Sequence, residues 1–103
     1  MTTAAPSTSP PACAIRRCVA MAHVASVDRS ADFYSKLGFA RRGEVKGHDG
    51  VTNWAHLESG GAELMLARAS GPVDPAQQAV LFYMYSDDVS GLRTHLLASG
   101  VPD

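Results

Sequence analysis

Apolar residues recur along this chain with two alternating periods, and the alternation predicts its elements. The run CVAMAHVASV, Cys18 to Val27, is apolar or small throughout and bounded by charged residues, which reads as a β-strand. From Asp28 to Leu37 the period lengthens. Ala31, Tyr34 and Leu37 recur at spacings of three with Phe33 beside them, the stripe of an amphipathic helix. Ser26 or Asp28 can cap its free amides, and Gly38 suits the left-handed position after its last turn. Three strands follow at Ala40–Lys46, Val51–Glu58 and Ala62–Ala67. Turn chemistry separates them at His48-Asp49-Gly50 and Ser59-Gly60-Gly61. The segment Glu63-Leu64-Met65-Leu66 is helix-compatible by propensity, but its flanking turns leave room only for a strand.

Ser70 to Gln78 reads as a loop, marked by Gly71-Pro72 and Asp74-Pro75. AVLFYMY, Ala79 to Tyr85, is the strongest strand signal in the chain. Ser86-Asp87-Asp88 then caps a second helix in which Val89, Leu92, Leu96 and Leu97 share a face, with Gly100 ending it. The order is β-α-β-β-β followed by β-α. The two β-α units resemble each other in strand, Ser/Asp cap, helix and terminal glycine, so the chain reads as an internal repeat whose second copy is cut short.

Residues 1–13 are dominated by Thr, Ala, Ser and Pro, which cannot bury enough surface to offset the entropy of ordering. They read as a flexible tail, with a single domain over residues 14–103. A hydrophobic fraction of 46% argues against disorder of the remainder. Nine basic and ten acidic side chains give a net charge of −1, which excludes bulk attraction to nucleic acid or to an anionic membrane. No apolar run is long enough to span a bilayer, and the N-terminus lacks the features of a secretory signal. Cys13 and Cys18 fit neither a disulfide framework nor a zinc knuckle and read as two reduced thiols in a cytoplasmic protein.

Candidate chemistry is sparse. His23 lies in an apolar strand, where a hydrogen-bonded interior histidine is the commoner role and a cavity-lining one the alternative. Glu63 interrupts an apolar strand; it either faces solvent or needs a partner inside. Trp54 and His56 share one strand face and Asn53 takes the other, so Trp54 is either sheet packing or a stacking platform. Tyr83 and Tyr85 share a face of their strand, opposite Phe82 and Met84. That composition suits a core and equally an apolar ligand pocket. Phe33, Tyr34 and Leu37 read as helix-on-sheet core. No nucleophile elbow, phosphate loop or Cys/His pair is present.

His23 to Phe39, HVASVDRSADFYSKLGF, resembles the opening signature of the vicinal oxygen chelate superfamily, which includes glyoxalase I, fosfomycin and bleomycin resistance proteins and extradiol dioxygenases. Val24, Ser30, Phe33-Tyr34 and Leu37-Gly38-Phe39 carry the likeness, with the strand order and Ser59 to Leu66 in support. It covers roughly residues 18–101, and the first module is the specific part. The resemblance implies an α+β fold: a βαβββ module with a curved mixed sheet, followed by the first strand and helix of a second, truncated module. Paired modules of this kind form a cup, often over a divalent metal held by His and Glu. Such an ion binds two neighbouring oxygens of a substrate and stabilises the charge that develops on them.

The sequence departs from that pattern at the first-strand histidine, expected fourteen residues before Phe33, where Val19 stands. His23 shares that face but lies about 13 Å further along at about 3.3 Å per residue. Glu63 falls at the carboxylate position and is the only metal candidate. The expectation is therefore a cup lined by His23, Trp54, His56, Glu63, Tyr83 and Tyr85, binding a small molecule without a cofactor. The alternative is a metal-dependent lyase, transferase or dioxygenase acting on a small vicinal-oxygen substrate. Strands without their successors leave apolar edges open, which predicts a homodimer.

Overall fold

The computed structural model describes Cys13, residues 15–77 and residues 82–103. Four strands form one mixed sheet: β1 (Ala20–Val24), β2 (Ala40–Lys46), β3 (Thr52–Ser59) and β4 (Ala62–Arg68). Their spatial order is β1-β4-β3-β2, with β1 parallel to β4 and the other pairs antiparallel. Helix α1 (Val27–Ser35) makes the crossover from β1, and helix α2 (Val89–Ala98) follows a 3₁₀ turn at Pro75–Gln77. This is the expected α+β module, a curved open βαβββ sheet. Register shifts between Arg41 and Gly43 and between Val45 and Lys46 add local twist to the β2–β3 ladder.

Strand alternation decides which face α1 covers. Ala55 and Leu57 of β3 and Leu64 and Leu66 of β4 point to the helix and meet its Val27 and Ala31; all six are buried. The register sets Leu57 beside Leu64, Ala55 beside Leu66, and Ala22 of β1 beside Leu66. One apolar layer therefore runs across three strands. Each fully buried leucine adds about 1.5–3 kcal/mol over its exposed state. Ala22, Val24, Tyr34 and Phe39 close the margin.

The two helices share their boundary chemistry. Ser26 Oγ accepts from the Arg29 amide at 3.2 Å, and Asp88 Oδ1 accepts from the Gly91 amide at 2.9 Å. At the other end Gly38 and Gly100 take positive φ, and the Phe39 and Val101 amides return to the carbonyls of Tyr34 and Leu96. Each of these features in α2 lies 62 residues after its counterpart in α1. The repeat seen in the sequence is thus a repeat of helix caps.

Three expectations need correction, and the second helix stands as expected with an incompletely covered face. The first strand is shorter than Cys18–Val27, because the Ser26 cap starts the helix at Val27, which is buried beneath it. Phe33 is 44% exposed, on the side of α1 turned from the sheet, while Tyr34 packs on the core. Within the expected strand Ala79–Tyr85, residues 79–81 lie outside the described residues, and Phe82–Tyr85 are exposed with no ladder partner. The Val89, Leu92, Leu96 and Leu97 face of α2 buries no residue fully. The expected tail at residues 1–13 lies outside the described residues apart from the exposed Cys13.

Candidate ligand-binding face

The face of the sheet opposite α1 carries the residues of the other parity. Trp54 and His56 on β3 and Glu63, Met65 and Ala67 on β4 are half-buried there, and Met21 and His23 on β1 are exposed. His56 pairs with Met65 in register, one step from Glu63, and the Trp54 and His56 ring centroids are 6.4 Å apart. On β2, Gly43 lies under Trp54: a Cβ there would stand 3.6 Å from the indole ring. That is ordinary contact, so the ring packs on β2 without needing a glycine there.

Glu63 is the centre of this face. Its Oε2 accepts from Arg17 Nε at 2.6 Å, and its Oε1 accepts from Arg17 Nη2 and lies 2.9 Å from His56 Nε2. The Arg17 hydrogen bonds hold the Glu63 carboxyl down at about 2; desolvation is the next effect and opposes them, and the Arg17 charge and His56 add to the lowering. Glu63 is therefore ionised at any physiological pH. Its side chain and that of His56 are largely covered, while the Arg17 side chain remains 62% exposed.

The six sequence candidates divide by place. Trp54, His56 and Glu63 adjoin on the open face. Tyr83 and Tyr85, 81% and 94% exposed, line with Glu63, Leu37, Phe39 and Phe82 a hollow of about 530 Å³ beside the sheet. His23 lines a different hollow with Met21, Pro72 and Asp74. Sequence reasoning missed Arg17, which it took as the charged boundary of the strand. Strand parity puts residues 17, 19, 21 and 23 on one face, but nothing local says that Arg17 meets a carboxylate 46 positions away.

The divalent ion that the sequence resemblance implies does not fit the residues present. Continuing the β1–β4 register one step from Ala20–Leu64 sets Val19 beside Glu63, where a second ligand would have to stand. Both Glu63 oxygens already serve Arg17 and His56. Among the described residues no three His, Cys, Asp or Glu side chains gather in a metal-binding group.

The fold has a solved counterpart. A bleomycin resistance determinant encoded on the transposon Tn5, known from a 1.7 Å crystal structure, superposes with a TM-score of 0.65 at 19% identity. The match covers 86% of this chain and 68% of that one. No curated protein matches significantly. Residues 18–103 match the family model described as the Glyoxalase/Bleomycin resistance protein/Dioxygenase superfamily. A match of that extent, joined to the βαβββ sheet and its paired caps, establishes that the chain belongs to this superfamily.

Proposed function

We propose that the protein binds a small molecule on the open face of its sheet, without a metal, as a cytoplasmic homodimer. The carrying observation is the Arg17–Glu63–His56 cluster beside Trp54, on a face that α1 leaves uncovered. An apolar sheet with one convergent polar centre and an indole at its margin has the composition of a ligand site. A second copy would close the half-cup and cover the exposed Phe82–Tyr85 segment. The free, exposed Cys13 and Cys18 agree with a reducing compartment.

Trp54 is the only tryptophan in the chain, so its emission reports on this face directly. Titration with benzyl alcohol, a neutral aromatic, should change Trp54 emission saturably. Linear quenching no stronger than that of free tryptophan would reject the site. Elemental analysis of the purified protein should find no stoichiometric zinc, nickel or manganese, and one ion per chain would contradict metal-free binding.

A further inference from the structure

We infer that Arg17 is the anchor of an oxyanion subsite: its guanidinium supplies the fixed positive charge of the open face and takes the carboxylate of an aromatic or apolar acid. The inference rests on the binding role proposed above and names its ligand class.

Arginine offers five N–H donors in a planar fork. The Nε and one Nη2 hydrogen are spent on Glu63, whose two oxygens fix the plane of the fork. The remaining edge, Nη1 with the second Nη2 hydrogen, has no partner among the described residues. That edge has the spacing to hold a second carboxylate through two parallel hydrogen bonds.

What an arriving ligand meets decides between anion and cation. Glu63 is largely covered and its oxygens are occupied, while Arg17 is mostly exposed. The accessible pole of the cluster is therefore the donor-rich guanidinium edge, with the Glu63 and Glu58 carboxylates behind it. A cation reaching Glu63 would first have to displace a charge-assisted fork, the strongest kind of hydrogen bond in the cluster. Trp54 lies beyond His56 on the same face, so its emission reports on ligand that extends from Arg17 across His56. Arg17 also precedes Val19 by two positions, so it reaches Glu63 across the place where a metal ligand would stand. Ligand oxygens would then be bound by guanidinium hydrogen bonds, with Glu63 engaged by Arg17.

The test compares three probes of one shape, benzoate, benzyl alcohol and benzylammonium, by Trp54 emission and calorimetry on the wild type, Arg17→Ala and Arg17→Lys. The wild type should bind benzoate at least tenfold tighter than benzylammonium, and added salt should weaken it. Arg17→Ala should lose about tenfold or more for benzoate, the equivalent of one charged hydrogen-bond pair, and proportionally less for benzyl alcohol. Arg17→Lys should recover part of the loss, because it keeps the charge and not the fork. Arg17 lies on an exposed segment outside the core, and circular dichroism should show both variants folded. Equal affinity for all three probes would overturn the inference and leave the cup reading standing. Tighter benzylammonium binding, strengthened by Arg17→Ala, would overturn it by making Arg17 a cover over an acidic site. Failure of every probe to bind would reject both.

Discussion

Three residues define the chemistry of the open face: His56 and Glu63, set on one face of the β3–β4 hairpin by strand parity, and Arg17 from the segment before β1. Glu63 can be charged within an apolar strand because Arg17 and His56 both reach it. The same pairing sets its pH behaviour. A carboxyl held at about 2, against an ordinary value of 4.5, favours the folded state above the ordinary carboxylate range. That contribution declines as pH falls from there towards about 2. Thermal melts of the wild type should therefore lose stability across this interval. Glu63→Gln, which cannot titrate, should show a shallower acid limb, and parallel acid limbs would refute the pairing. Asp28 behaves in the same direction: Arg41 and then Thr52 donate to it and hold its carboxyl below the usual range. Thr52 is thereby satisfied although almost fully buried.

At the scale of elements, stability should concentrate in the layer between α1 and the sheet. Leu66→Ala removes a fully buried side chain between β1, β3 and α1 and should cost about 2–5 kcal/mol in chemical denaturation. Ser26→Ala should cost about 1 kcal/mol through the lost cap. Equal effects would mean that the core does not carry the fold. Helix α1 was legible in the sequence because its signals are local: a serine cap, a stripe of apolar residues and a glycine that takes φ of +100°. The three strands from Ala40 to Arg68 were legible for the same reason, since short turns fix their pairing. Phe82–Tyr85 was not, because strand formation depends on pairing and packing that an apolar run does not itself specify. The Arg17–Glu63 contact was hidden because it depends on the register of β1 against β4. His23 faces the expected side but lies too far along its strand to join the cluster, as its spacing from Val19 implied.

At the scale of the molecule, the sheet has one defended edge and one open one. β2 carries Arg41, Arg42, Glu44 and Lys46 with two register shifts, features that discourage pairing with another chain. β1 is short and largely apolar, and Phe82–Tyr85, Val89 and Leu97 remain exposed. Exposed apolar surface of that kind is what the proposed homodimer would cover. Sedimentation velocity should show a species of twice the 10.8 kDa chain mass, and a freely soluble monomer at every concentration would contradict the dimer. The central claim is narrower, that the face opposite α1 receives the ligand, and amide and indole chemical-shift mapping with benzyl alcohol addresses it most directly. The account predicts shifts at the Trp54 indole, His56, Glu63 and Met65, with Val27–Ser35 undisturbed; shifts confined to α1 or α2 would contradict it.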